Sequence, residues 1–208
     1  NASAVAVLIE MARLLRESPP RPTVRLVAYA NQEPPHFGSN RMGSYAHANM
    51  LRREAETTGL KIHGMLCLEM LGYYLTEPNS QPYPRGVRRW LGWALPGRGN
   101  FIALVSSMRS AWFMHRLRWA MGVRSGRGAL PRVPMWAIAL PPSVTGGATM
   151  LSDHYQYELA GFPSAMATDT AFVRNPHYHQ RSDLPDTLDY ERMATTTLRL
   201  TRAVRRFR

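Results

Sequence analysis

The sequence predicts an α/β fold built on a largely parallel (mixed) β-sheet, and three observations carry that prediction. Short apolar runs alternate along the chain with longer stretches of helical periodicity. Residues 23–30 (TVRLVAYA) and 62–71 (IHGMLCLEML) have the composition of buried strands, and residues 44–58 between them have that of a helix. A helix between two strands implies a crossover that leaves the strands parallel. The third observation is size, because 208 residues with 45% hydrophobic content suit one domain.

The other elements continue the same alternation. Gly59 follows the helix over residues 44–58 and is its expected C-cap. Further strands are predicted over residues 101–106, 135–140 and 164–168, and further helices over residues 4–15, 111–123, 153–160 and 190–207. Residues 75–99 are rich in Pro, Gly and Arg and predict a long surface excursion within a single domain of residues 1–208.

Composition limits the classes of function. The net charge is +12, nearly all of it from arginine, since Lys61 is the one lysine. Such a charge can attract nucleic acid or anionic lipid, but the arginines are scattered and no nucleic-acid motif is present, so a specific nucleic-acid partner is not expected. No apolar run reaches the length of a transmembrane helix. Cys67, the single cysteine, excludes an internal disulfide and is expected in the core.

Three metal-competent residues fall near the ends of predicted strands. Glu33 follows the strand over residues 23–30, Glu69 lies near the end of the next strand, and His179 follows a third. Ligands of open α/β sheets bind beyond the carboxyl ends of strands, and carboxylate and imidazole groups suit zinc. Each residue also has an ordinary explanation: a solvated loop carboxylate, a buried ion pair and a structural histidine, respectively. The metal site is favoured only when the three are taken together.

Five segments, in order, resemble the zinc-dependent aminopeptidases of the bacterial leucyl aminopeptidase type, peptidase family M-twenty-eight. They are NASAVAVLIEMARLL, VRLVAYANQEPPHFG, CLEMLGYY, SDHYQYELAGFPSAMATDTAF and NPHYHQRSDLPDTLDYERM. The resemblance implies a three-layer α/β/α domain and a peptide substrate. In that family two zinc ions hold the water that attacks the peptide bond. Glu33 would match one carboxylate ligand, Glu69 the next acidic ligand and His179 the last histidine ligand.

The resemblance also assigns supporting residues. Asp153 and His154 match a segment that borders the family's site, and Asp183 is placed to orient His179 as a supporting partner. Gln32 occupies the position of the family's general-base glutamate. An amide cannot accept a proton at neutral pH, and general-base help is worth roughly 100- to 10,000-fold in rate.

Gln32 is one departure from the family pattern, and the start of the sequence is a second. The family's first histidine ligand, its bridging aspartate and its N-terminal strands would precede Asn1. We therefore expect at most one zinc ion to bind this chain, and hydrolysis to be absent or impaired. We also expect a partner or a missing N-terminal segment to complete the sheet.

Two other functions remain open from the sequence. One is a non-catalytic homologue that uses the fold as a binding or scaffold module, which Gln32 and the Trp-bearing excursion favour. The other is binding of nucleic acid or anionic membrane through aromatic and basic residues such as those of residues 112–119 (WFMHRLRW). An apolar helix face packed on the sheet is the simpler explanation of that segment.

Overall fold

The computed structural model describes residues 1–122, 130–139, 141 and 152–207. The described strands are β1 (Met65–Glu69), β2 (Ile102–Ser106), β3 (Met135–Ala139) and β4 (Ser164–Thr168). The described α-helices are α1 (Ala2–Glu17), α2 (Gly43–Thr58), α3 (Arg85–Leu91), α4 (Ala111–Met121), α5 (His154–Leu159), α6 (Ala171–Arg174) and α7 (Tyr190–Arg206). Residues 123 and 140, the last positions of two predicted elements, lie outside the described part of the chain.

The four strands form one mixed sheet in the order β1-β4-β2-β3. The β1–β4 and β2–β3 pairs are parallel, whereas β4 and β2 are antiparallel. Helices lie on both faces, with α1, α4 and α7 on one side and α2 and α5 on the other. The prediction of an α/β fold with a mixed, largely parallel sheet is therefore confirmed. The sheet does not close on itself, so β1 and β3 are its edges.

The larger core lies between the sheet and the layer of α1, α4 and α7. Side chains that alternate along the strands point into it, including the fully buried Leu104 of β2 and Ala167 of β4. Leu200 of α7 fills the same core from the helix side. Cys67 of β1 is buried and reduced, as expected from its apolar surroundings.

The prediction of a buried strand over residues 23–30 is wrong. The segment is extended, but none of residues 22–29 makes a backbone-to-backbone hydrogen bond with another described residue, and none of residues 23–30 is buried. A β-branched, apolar composition favours a strand only when a neighbouring strand is there to pair with it. The nearest strand, β1, is separated from this segment by a cavity that both line.

The predicted excursion over residues 75–99 is tied to the body of the domain. Its buried Gln81 accepts a hydrogen bond from Arg174 Nε at 2.7 Å, and Leu75 N donates to Gly99 O at 2.9 Å. It contains the short helix α3, which Pro84 precedes. The two ends of the excursion are therefore hydrogen-bonded to each other, and Gln81 attaches it to Arg174 at the end of α6.

Helix α4 is only partly explained by packing on the sheet. Phe113 and Leu117 are buried, but Trp112 and Trp119 on the opposite face are 50% and 85% exposed.

No described helix combines the length and the apolar character that crossing a bilayer requires.

Candidate functional site

Glu33 and His179 meet at the surface. His179 Nε2 lies 3.6 Å from Glu33 Oε1, and both side chains are more than half exposed. Glu33 begins the turn that follows residues 23–30, and His179 lies in the loop between α6 and α7. The structure thus brings together two residues that are 146 positions apart and that the sequence analysis assigned to one site.

The separation of these two side chains suits a shared metal ion. Two ligands that are each about 2.1 Å from a tetrahedral zinc ion lie about 3.4 Å apart. The observed 3.6 Å between nitrogen and oxygen matches that separation. An ion pair of Glu33 with a protonated His179 has the same geometry, so the distance is compatible with zinc without requiring it.

Glu69 ends β1 and lies deeper than the Glu33–His179 pair. Its Oε2 accepts a hydrogen bond from the Ser152 hydroxyl at 2.7 Å, and its Oε1 accepts one from Asn1 Nδ2 at 2.5 Å. Burial raises the pKa of the Glu69 carboxyl, and the nearby charges of Asp153 and Glu33 raise it further. Among the described residues no arginine or lysine forms an ion pair with it, so the alternative of a buried ion pair is not observed.

Asp153 and His154 are both buried, and Asp153 lies near Glu69. Asp153 is the N-cap residue of α5. Burial raises the pKa of the Asp153 carboxyl. The nearby Ser44 hydroxyl lowers that pKa in part, although its oxygen and Asp153 Oδ1 do not reach hydrogen-bond geometry in the described chain. His154, in the first turn of α5, is completely buried.

Gln32 lies where the two groups of residues meet. It lines a small cavity of about 130 Å³ together with Asn1, Tyr29, Glu69 and Asp153. The residue that resembles the family's general base therefore shares a cavity with Glu69, one of the three candidate ligands, and is next to Glu33 in the sequence.

Asp183 does not contact His179 in the described part of the chain. Its Oδ1 accepts a hydrogen bond from Asn175 Nδ2 at 3.2 Å. The partners observed for the His179 ring are Glu33 and Tyr178. The role of Asp183 in orienting His179 stays a prediction.

Tyr178 is a member of the site that the sequence analysis missed. Its ring stacks on the His179 ring with centroids 3.9 Å apart and planes 20° from parallel. Burial raises the pKa of its hydroxyl, and the charges of Glu33 and Glu69 add to that effect. Tyr178 therefore contacts His179 and lies within electrostatic range of both Glu33 and Glu69. Its position directly before a candidate histidine was the one signal that could have marked it.

Backbone conformation also marks this region. Five described residues other than glycine have positive φ, and three of them flank or belong to the site: Asn31 (62°), Met70 (49°) and His179 (59°). Residues in this region of φ are uncommon and concentrate at functional sites. Even so, no group of three histidine, cysteine, aspartate or glutamate side chains within the described residues is arranged to hold a metal ion.

One curated protein resembles the chain closely in sequence, whereas no protein-family model matches it. The chain is 40% identical over 197 residues to the uncharacterized protein YfbL of Escherichia coli K12. That match covers 93% of this chain and 54% of YfbL, so the chain spans about half the length of the curated relative.

Two solved aminopeptidases have a similar structure. The LapA aminopeptidase of Legionella pneumophila aligns with a TM-score of 0.61 at 18% identity, covering 99% of this chain and 46% of LapA. The aminopeptidase of Aneurinibacillus sp. strain AM-1 aligns with a TM-score of 0.60 at 18% identity, covering 98% of this chain and 38% of that enzyme. At this identity the comparison shows a shared fold. The chain has the α/β fold of these aminopeptidases.

Proposed function

We propose that this chain is part of a zinc-dependent aminopeptidase-type domain and that it binds one zinc ion weakly, with little or no hydrolysis by itself. The observation that carries the proposal is the approach of Glu33 and His179 to 3.6 Å. Gln32, next to Glu33 in the sequence, lines a small cavity with Glu69. The shared fold with two aminopeptidases supports the same class of reaction.

Glu33 and His179 would be the ligands, with Asp153 or Glu69 the nearest further carboxylates. A catalytic zinc ion usually has three protein ligands, so a set of two predicts weak binding. When bound, zinc lowers the pKa of a coordinated water to about 7 and polarises a peptide carbonyl.

The chain's own residues limit the chemistry that this site can perform. Gln32 can donate and accept hydrogen bonds and so can orient a water molecule or a substrate amine, but its amide takes no proton at neutral pH. Hydrolysis requires that a proton leave the attacking water and reach the departing amine. Gln32 therefore fits substrate positioning better than proton transfer.

Zinc affinity tests the proposal. Calorimetric titration of the purified chain should show about one zinc site, and His179→Ala should weaken that site by at least about tenfold because an imidazole ligand is lost. His177→Ala is the matched control, since His177 lies in the same loop but bonds to Ser182. Equal zinc affinity in wild type and His179→Ala would refute the assignment.

Hydrolysis is tested separately. We expect the chain to hydrolyse aminoacyl chromogenic substrates at the background rate, and Gln32→Glu not to restore turnover while the ligand set is incomplete. Chelator-sensitive turnover by the wild-type chain would overturn the claim of impaired activity. A non-catalytic binding module is favoured instead if the chain binds no zinc at all but binds peptides.

A further inference from the structure

A slot separates residues 23–30 from the open edge of the sheet. It is a cavity of about 540 Å³, lined on one side by residues 22–27 and 29 and on the other by residues 60–66 and 68. Leu8, Phe113 and Phe207 contribute apolar side chains from the helices and the C-terminal end. The slot is partly open to solvent, and its volume is within the ordinary range of binding clefts.

The β1 wall of the slot has unpaired backbone groups. Met65 N donates to Pro163 O at 2.9 Å, so Met65 and Cys67 turn their N–H and C=O groups towards β4. Because these groups alternate along a strand, those of Leu66 and Leu68 point into the slot. On that edge Leu68 O accepts a long hydrogen bond, 3.5 Å, from the side chain of Asn1.

Residues 23–30 form the opposite wall of the slot. They are extended, and residues 23–29 have no backbone partner in the described chain, but their side chains contact α2 and α5. Arg25 forms a two-pronged ion pair with Glu54 of α2, with distances of 2.9 and 3.1 Å. The Tyr29 hydroxyl lies 3.0 Å from His47 Nδ1 and 2.5 Å from the Tyr157 hydroxyl. These contacts attach residues 23–30 to the layer of α2 and α5, on the far side of the slot from β1.

We propose that the slot binds one extended β-strand, which pairs with β1 and residues 23–30 at once and is supplied by polypeptide corresponding to the part of YfbL outside the matched region. Two extended segments with unpaired backbone groups line opposite sides of one cavity, and such an arrangement suits a strand better than a helix or a small molecule. The apolar lining specifies apolar side chains, and the 54% coverage of YfbL shows that this relative has further sequence to supply them. The proposal does not depend on zinc binding.

The strand would end at the candidate site. The slot is followed by the smaller cavity at Gln32, Glu69 and Asp153, and the two cavities share lining residues such as Tyr29 and Leu68. A strand as long as β1 has five residues and spans about 17 Å. Its last residue would therefore lie next to the carboxylates of the site.

Co-expression tests the proposal directly. The chain, carrying an affinity tag, is co-expressed with the part of YfbL that lies outside the matched region, and the purified material is analysed by size-exclusion chromatography and amide hydrogen exchange. We expect a one-to-one complex in which exchange at Leu66 and Leu68 slows by at least about tenfold, because both amides gain partners. Met65 and Cys67, already bonded to β4, should change little.

A proline variant isolates the backbone contribution. Leu66→Pro removes the N–H that faces the slot, while the bonds to β4 remain, and proline is tolerated on an edge strand in that orientation. Leu66→Ala is the matched control, because it loses the same side chain and keeps the N–H. Complex formation should persist in Leu66→Ala and fail in Leu66→Pro.

Three results would overturn the proposal. The first is that no complex forms with the wild-type chain. The second is that the complex forms without slowing exchange at Leu66 and Leu68. The third is that the chain alone is a dimer in which these two amides are already protected, since the occupant would then be a second copy.

Discussion

The strands β4 and β1 are paired neighbours of equal length, yet they differ sharply in burial. All five residues of β4 are buried, and β4 has a partner on each side. In β1 only Cys67 is buried, and one edge has no strand partner in the described chain. The sheet is therefore fully paired around β4 and β2, which we call the finished side, and has an unpaired edge at β1, which we call the open side. The candidate site lies where the two regions meet, since Glu69 ends β1 and pairs with Thr168 of β4.

The finished side is held together by a buried polar network. Asp169 directly follows β4, and its carboxylate accepts hydrogen bonds from the backbone N–H groups of Gly72, Tyr73 and Ala171 at 2.7 to 2.8 Å. Arg174, which is 4% exposed, donates to carbonyl oxygens and to Gln81 nearby. The network joins β4, the segment after β1 and the excursion of residues 75–99.

Removing the acid of this network should have the largest effect on stability. Asp169→Ala orphans three buried N–H groups and leaves the Arg174 charge without its nearby acid, so we expect a loss of about 3–5 kcal/mol in the free energy of unfolding at pH 7. Urea denaturation measures it. Asp183→Ala, on the exposed loop, should change stability by less than about 0.5 kcal/mol. Similar values for both variants would mean that the network does not stabilise the finished side.

Leucine truncations compare the two regions directly. Leu104 of β2 is fully buried, and Leu104→Ala should cost about 2–5 kcal/mol because it opens a cavity in the core. Leu66 of β1 is only half-buried beside the slot, so Leu66→Ala should cost about half as much or less. Thermal and urea unfolding of the two variants provide the comparison. Equal losses would show that the β1 edge is packed as tightly as the centre of the sheet.

The pH dependence of stability should also come from the finished side. Burial raises the pKa of Asp169 from the ordinary 3.8 to about 6. A carboxyl with a raised pKa contributes stability below about pH 4 that is lost as the pH rises through 6, by up to about 3 kcal/mol. Wild type should therefore lose stability relative to Asp169→Asn between pH 4 and 7. Parallel stability curves for the two proteins would contradict this.

Local patterns predicted much of the fold. The strand over residues 164–168 has the predicted bounds, and Gly59 is the left-handed C-cap of α2 with φ of 72°. Both features depend on short-range chemistry: an apolar run between turn signals, and a conformation that glycine adopts at low cost. The antiparallel pairing of β4 with β2 was not predicted, because pairing depends on residues far apart in the sequence.

In the candidate site, too, some features were predictable from the sequence and others depend on residues far apart in it. The sequence resemblance placed Glu33 and His179 together, and the structure brings them within 3.6 Å. The partners of Glu69, which are Ser152 and Asn1, lie 83 and 68 positions away and have no local signature. Residues 23–30 were predicted as a buried strand because their composition suits one, but composition does not reveal whether a neighbouring strand is present.

Hydrogen exchange of the isolated chain, resolved to single amides along β1, tests the contrast between the finished and open sides most directly. We expect slow exchange at Met65 and Cys67, whose N–H groups face β4, and fast exchange at Leu66 and Leu68, whose N–H groups face the slot. The amides of β4 at Ala165 and Met166 should be protected without alternation, since β4 has partners on both edges. Uniform protection along β1 in the monomeric chain would show that this edge of the sheet is not open.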